Sequence, residues 1–282
     1  MIKIVADSTC DLSPELLEQY SIDLIPLCVV MGEKTYLDGV NISPNEIYQW
    51  SIKENTTPKT AAPGIEKVIE TLKPYVEQDY DIIFFGISEE MSSTCDTVRL
   101  SLQYLNTNKI HIINSKNLST GIGLQVLKAA TMVAAGNDAK AIVNYIESIM
   151  CSKVRASFIV DTLTFLHMGG RCSSVAALIG NALALKPMIK VNNGKMGVGK
   201  KYRGNNKKVL LHYLSDLKPE LLKANRERVF ITHSGCEDEV IDTLYKELQL
   251  INIFKEIHIT RAGSVISSHC GPKTLGILYV EE

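Results

Sequence analysis

Short apolar runs alternate along the chain with longer stretches in which apolar residues recur every three or four positions, and this predicts an α/β architecture. Residues 2–6 (IKIVA), 81–87 (DIIFFGI) and 109–114 (KIHIIN) are nearly continuous apolar runs, the pattern of strands buried on both faces. Helical patterns follow them. Ser13-Pro14-Glu15 offers an N-cap hydroxyl and a first-turn proline, and Ser43-Pro44-Asn45-Glu46 repeats the device and adds the glutamate of a capping box. Residues 121–135, rich in Leu and Ala, predict a helix, and residues 138–151 a second.

Near Lys153 the pattern restarts. Residues 156–160 read as a strand, and 173–185 as an apolar helix stopped ahead of Pro187. Residues 188–191 and 195–198, joined by Asn192-Asn193-Gly194, predict a β-hairpin. A strand at 228–232, a helix at 237–248, a strand at 256–260 and a last strand at 275–280 complete the chain. The expected division is an N-terminal α/β domain, residues 1–155, and a C-terminal α/β domain, residues 156–282.

Hydrophobic residues at 45% and charged residues at 22% describe an ordinary globular chain, and a net charge of −1 gives no general attraction to nucleic acid or to an anionic membrane. Seven cysteines occur without any C-x-x-C, and there is no H-E-x-x-H, so free thiols in a reducing cytoplasm are expected and no metal site. MIKIVADST opens a strand at once, without the apolar stretch of a secretory leader. No apolar run approaches the ~20 residues that span a bilayer. The expectation is a cytoplasmic protein with no stable membrane insertion and no cofactor.

The most informative stretch for chemistry is Gly263 to Gly276, GSVISSHCGPKTLG, where one histidine, His269, sits among small residues. Small residues let backbone approach a ligand, and an imidazole there can bind an anion or move a proton. In open α/β sheets ligands bind beyond the carboxyl ends of the strands, where Asp7-Ser8-Thr9, Ser88 and Asn114-Ser115 fall; the same residues serve equally well as helix N-caps. Three functions fit this inventory. A ligand carrier needs only the polar mouth and an apolar interior. An acyl-ester hydrolase would use Ser92 and His269, although no G-x-S-x-G elbow is present. A phosphate- or sugar-binding module would rest on helix N-termini alone. No G-x-x-x-x-G-K-[ST] loop occurs, and Gly121-x-Gly123 lacks the third glycine of a dinucleotide site. His233 and His167 read as capping or core residues.

The His269 segment resembles the C-terminal signature of the DegV family, bacterial fatty-acid-binding proteins, Gly-x-Val-Ile-x-x-His-x-Gly-Pro-Gly. Asp7-Ser8, Thr60-Ala61-Ala62-Pro63, Ser88 to Thr94 (SEEMSST) and Gly169-Gly170-Arg171 match further family motifs in order, so the resemblance covers essentially the whole chain. It implies two α/β domains, the second with a mixed sheet, and a ligand held between them. It also implies that Thr60, Ser92 and His269 bind a long-chain fatty acid by its carboxylate. An apolar tunnel for the acyl tail is then expected, with Phe158, Ile159, Phe165, Leu166, Ala176, Leu178, Ile179, Leu183 and Leu185 as candidate lining. The family's partner is a separate ATP-dependent fatty acid kinase that phosphorylates the presented carboxylate, so the chain itself is expected to be a non-catalytic subunit. Arg171 and Arg203, from Tyr202-Arg203-Gly204, are the candidates for docking that partner. The chain departs from the family pattern at Ala61, Ala62, Ser93, Cys95 and Lys273, which flank the expected pocket.

Overall fold

The computed structural model describes residues 1–178 and 185–282. Along the chain, β1 (Ile2–Asp7) passes through a 3-10 turn (Ser8–Cys10) to α1 (Pro14–Gln19), β2 (Asp23–Ile25), β3 (Cys28–Met31), β4 (Lys34–Leu37) and α2 (Pro44–Glu54). Next come β5 (Lys59–Ala61), α3 (Ile65–Glu77), β6 (Asp81–Gly86), α4 (Thr94–Leu105), β7 (Ile110–Asn114) and α5 (Thr120–Ala134). A helical run follows: α6 (Ala139–Tyr145), a π turn (Ile146–Met150) and α7 (Cys151–Lys153). The second half holds β8 (Val154–Ile159), α8 (Thr164–Gly169), a 3-10 turn (Ser173–Leu178), β9 (Leu185–Asn192) and β10 (Lys195–Arg203). It ends with α9 (Asn206–Leu221), β11 (Ala224–His233), α10 (Asp238–Ile251), β12 (Glu256–Arg261), α11 (Ser264–Cys270) and β13 (Leu275–Glu281).

β2-β1-β6-β7 form a parallel sheet, as their unbroken apolar runs require. Val5, Ile82 and Phe84 pack on Val68, Leu72 and Val98 of α3 and α4, while Ile4, Ala6, Ile83 and Phe85 face α5. β10-β9-β8-β13-β11-β12 form the second, mixed sheet, in which only β11 and β12 run parallel. Its Ala156, Phe158, Phe230 and Leu278 also face α5, and its Ile159, Ile231 and Ile277 pack on α9 and α10. α5 is therefore sandwiched between two sheets, and its residues are buried on every side from Thr120 to Leu127, which is why its sequence is apolar all round. Every strand up to β7 belongs to the N-terminal sheets and every strand from β8 onward to the mixed one, yet the apolar core around α5 is continuous across both.

Local chemistry explains the element ends. The Ser13 hydroxyl caps α1, and Ser43 and Glu46 make the reciprocal bonds of a capping box on α2. Asn193 (φ 48°) and Gly194 (φ 80°) are both left-handed, the backbone of a two-residue type I′ hairpin, so β9 and β10 pair over a longer span than their apolar cores suggest.

Two features differ from the sequence expectations. The helix expected over 173–185 is a 3-10 turn as far as Leu178, and Leu185 already belongs to β9, paired with Arg203. An apolar run followed by X-Pro suits a strand as well as a helix, and the edge pairing with β10 decides in favour of the strand. The small antiparallel sheet β4-β3-β5 is not evident in the sequence, because its strands are only three or four residues long. It packs Leu27, Val29 and Met31 with Ile47 of α2 against Val265 of α11.

Candidate functional site

The strand-end rim seen in the sequence divides into structural and cavity-facing groups. The Asp7 carboxylate accepts from the Thr9 amide, the Thr9 hydroxyl and the Ile87 amide; burial nevertheless pushes its pKa up to about 6. Asn114 and Ser115 are likewise engaged in their own turn, through Lys116 and Asn117. Ser88 donates to Gly194 O at 2.7 Å and so fastens the tip of the β9–β10 hairpin to the end of the parallel sheet. These residues are spent on architecture.

Four other polar side chains meet in a cavity of about 220 Å³ between the parallel sheet, the small sheet, α11 and the hairpin. Thr60 comes from β5, whose alternation turns Thr60 inward between exposed Lys59 and Ala61 and sets it opposite Val29. Ser92 lies in the tight turn ahead of α4, where Met91 and Ser92 amides bond back to Ser88 O. His269 stands in the last turn of α11, and Arg171 follows α8. Leu27, Ile87, Met91, Leu118, Met196, Val265 and Ile266 make the walls apolar.

Thr60 Oγ1 and His269 Nε2 are 2.7 Å apart. Among the described residues, His269 Nδ1 is buried without a hydrogen-bond partner. Orphaned buried N–H groups are rarer than orphaned acceptors, so we place the proton on Nε2. The imidazole then donates to Thr60 Oγ1, which leaves the Thr60 hydroxyl proton free to point into the cavity. Burial, helped by nearby Arg171, lowers the His269 pKa to about 4, so the ring is neutral at physiological pH. The Ser92 hydroxyl pairs with Thr94 at 2.9 Å.

Gly169-Gly170-Arg171 has a local physical meaning. A Cβ on Gly169 would lie 2.3 Å from His269 Nδ1, so only glycine admits the imidazole there. Gly170 (φ 68°) takes the left-handed conformation that ends α8. The chain turns back, and the Arg171 guanidinium donates to Gly169 O at 2.8 Å and Met91 O at 3.4 Å. Arg171 thus lines the same cavity as Thr60, Ser92 and His269. Arg203 does not: it is exposed on β10.

The tail residues expected from the sequence fare differently. Phe158 lines a second, apolar cavity of about 20 Å³, which shares Leu118, Ile266 and Cys270 with the first. Ile159 points to the opposite face of the mixed sheet, among α9 and α10, because neighbours on a strand alternate faces. Leu166 and Leu178 are buried in the core around α5, Leu185 packs at its margin, and Ala176 is exposed. Phe165 is half-buried edge-on to Tyr48, ring centroids 6.0 Å apart. Ile179 and Leu183 lie outside the described residues. Leu27, Ile87, Leu118 and Met196 were missed because long-range packing alone brings them to the cavity. Ile266 had a signal: it precedes His269 and Cys270 by three and four residues, so the three share one face of α11.

The departures from the family pattern are also placed. Ala61, Ala62 and Ser93 line the cavity. Cys95 is buried outside it, its Sγ filling the space beside Gly86. Lys273 is left-handed at φ 59°, a conformation that suits the glycine it replaces.

The family model for DegV proteins, "Uncharacterised protein, DegV family COG1307", matches residues 1–282. The chain belongs to the DegV family. A DegV domain-containing protein of Clostridium perfringens is 34% identical over 281 residues, covering 100% of this chain and 99% of the relative. Among solved structures, a fatty-acid-binding DegV family protein of Thermus thermophilus superposes with a TM-score of 0.89 at 27% identity, over 100% of this chain and 99% of its own. A stearic-acid-binding protein of Eubacterium ventriosum gives 0.85 at 26% identity, over 100% and 98%. The DegV fold of a parallel sheet and a mixed sheet is therefore shared over the full length. No helix among the described residues is long and apolar enough to cross a membrane.

Proposed function

We propose that this DegV protein is a cytoplasmic carrier that binds a long-chain fatty acid between its 1–155 and 156–282 domains and presents the carboxylate to a separate ATP-dependent kinase for conversion to acyl phosphate. The observation that carries the reading is the convergence of Thr60, Ser92, His269 and Arg171 in one apolar-walled cavity. A carboxylate accepts several hydrogen bonds at once, and two hydroxyls beside a guanidinium supply them. The Thr60 proton, freed by the His269 donation, and the Ser92 hydroxyl at the start of α4 bind and orient one end of the ligand; Arg171 supplies the charge. Arg171 lines the head-group end and is also exposed, so it can serve the carboxylate and, with exposed Arg203, the docking of the kinase. The apolar void beyond Leu118, Ile266 and Cys270, about 20 Å³ and so of single-water size, marks the direction of Phe158, and a tail would have to open it on binding. Burying some fifteen methylenes at ~0.8 kcal/mol each gives on the order of 12 kcal/mol gross, ample for tight binding after ordering costs.

The hydrolase reading is disfavoured by geometry. Ser92 is bonded to Thr94 and His269 to Thr60, and no carboxylate meets His269 Nδ1 among the described residues. The first test is mass spectrometry of lipid co-purifying with the protein. A stoichiometric fatty acid that is lost when Thr60→Ala and Ser92→Ala are combined supports the carrier; a protein that stays empty when offered a fatty-acid mixture overturns it. Phosphorylation of the bound acid by added kinase and ATP, weakened by Arg203→Ala with binding intact, tests the hand-off.

A further inference from the structure

α11 carries His269 but has little to hold it in place by itself. It is seven residues long, below the length at which a helix persists unaided, and five of the seven are Ser, His or Cys. Its position is set at the opposite end from His269. The Gly263 amide donates to Asp11 Oδ1 at 2.8 Å, and the Ser264 amide donates to Asp38 Oδ1 at 2.6 Å. Both aspartates are buried, and they come from separate loops of the N-terminal half, 252 and 226 residues away in sequence.

Each carboxylate is fixed in turn by its second oxygen. Ser119, at the start of α5, donates to Asp11 Oδ2, and Ser8 donates to Asp38 Oδ2 at 2.9 Å. Ser8 also accepts the amide of Leu27, itself a residue of the cavity wall, at 3.1 Å. Ser119 holds φ 52° and ψ −144°, a backbone region that favours glycine, and its bond to Asp11 is the contact that rewards this strain. The fit is close. A Cβ on Gly263 would come within 3.2 Å of Asp11 Oδ1 and within 3.2 Å of Asp38 Oδ1. Burial raises the pKa of both carboxyl groups, that of Asp11 well above its usual range, so each is held at a desolvation cost that its accepted hydrogen bonds offset.

We infer that Asp11 and Asp38 are positioning residues: as a two-carboxyl clasp on the N-cap amide and the first amide of α11, they set the place of His269 and, through it, the Thr60 hydroxyl that faces the ligand. The inference rests on the carrier reading for its ligand and on the geometry alone for the clasp. A shift of the helix by a fraction of an ångström at the clasp is passed rigidly along α11 to the imidazole, whose hydrogen bond to Thr60 does not survive a large displacement.

The test uses the full-length protein and two readouts. One is the ring ¹⁵N resonances and titration of His269 in the ligand-free protein; the other is the dissociation constant for oleate, measured well below the melting temperature. Asp38→Ala and Asp11→Ala are expected to move the His269 titration from near 4 back towards 6.5 and to weaken oleate by about tenfold or more. Asp38→Asn and Asp11→Asn, which keep an acceptor for each amide, should recover most of both. Gly263→Ala covers the case in which an alanine variant fails to fold, since it removes no buried charge and its φ of −65° suits alanine. It should shift the same His269 signals and weaken oleate severalfold. Folded variants with wild-type His269 signals and wild-type affinity overturn the clasp. Shifted His269 signals in a protein whose wild type binds no oleate would leave the clasp standing and sink the fatty-acid reading instead.

Discussion

Gly169 and His269, a hundred residues apart, are packed so closely that the imidazole occupies the space a side chain at Gly169 would fill: a Cβ there would sit 2.3 Å from Nδ1. The contact joins α8 to α11 and presses the ring towards Thr60. It makes the glycine part of the cavity's geometry although it offers no functional group.

Gly169→Ala tests this contact with two opposed magnitudes. Alanine is the better helix former by up to about 1 kcal/mol. Overpacking costs typically about 1–3 kcal/mol, and a Cβ 2.3 Å from Nδ1 forces His269, which lines the cavity, to give way at the expense of its bond to Thr60. The clash should win, with a net loss of about 1 kcal/mol in denaturant unfolding and a fall in fatty-acid affinity of about tenfold or more by calorimetry. A stabilised variant that binds normally would show that the ring moves aside at no cost.

Acid should act through His269 in a defined direction. Its folded pKa near 4 lies below the unfolded value of 6.5, so between those values the unfolded chain takes up a proton that the folded protein refuses. The contribution is present above pH 6.5 and is lost as pH falls towards 4, by at most about 3 kcal/mol. Asp7 works in the opposite sense: its pKa, raised by burial from 3.8 to about 6, makes the folded state hold the extra proton over that range. Asp11 and Asp38, also raised by burial, act in the same sense as Asp7, so overall stability against pH is a poor readout. The difference between wild type and His269→Asn isolates one group. The wild type should lose ground to the variant on going from pH 7 to pH 4, and a constant difference would contradict the buried neutral ring.

What the sequence disclosed and what it withheld have physical causes. Elements whose signals are local were legible: the capping box at Ser43 and Glu46, the Asn193-Gly194 turn, and the doubly buried runs that became β1, β6 and β7. The polar end of the cavity was legible only through family resemblance, since nothing local to Thr60, Ser92 and His269 says that three distant segments will meet. For Arg171 the resemblance implies docking of the family's kinase partner; its place on the cavity was not legible, because it depends on the turn at Gly170 that carries the guanidinium to Met91 O. Of the tail candidates, Ile159 is turned to the far face of the mixed sheet by strand alternation, and Leu166 and Leu178 are taken up in the core around α5, neither of which an isolated apolar residue discloses.

Lys273 offers a test of local strain. It takes a left-handed φ of 59° in the loop after His269, where an L-residue pays a steric penalty that glycine avoids. Its exposed ion pair with Glu237, at 3.1 Å, is worth little in compensation. Part of the gain on changing to glycine is returned through the greater freedom of the unfolded chain. Lys273→Gly should raise the melting temperature by about 2 °C in differential scanning calorimetry. A drop would mean that the lysine side chain holds the loop more firmly than the backbone resists it.

The hairpin between β9 and β10 is a wall of the cavity through Met196, and its tip is fastened by one hydroxyl, the Ser88 Oγ that donates to Gly194 O. A Cβ on Gly194 would fall 2.5 Å from that oxygen, so the tip is seated closely, and Lys195 with Glu90 adds only an exposed ion pair at 3.3 Å. Removing the hydroxyl leaves the Gly194 carbonyl without that donor in a buried contact, at a cost of about 1–2 kcal/mol. The loss falls on the closed position of the hairpin and not on the fold, because β9 remains paired with β8. Ser88→Ala should therefore speed fatty-acid dissociation severalfold in stopped-flow displacement, with faster amide exchange over residues 193–197 and a nearly unchanged melting temperature. Unchanged dissociation with unchanged exchange would show that the hairpin is held by its strand pairing alone.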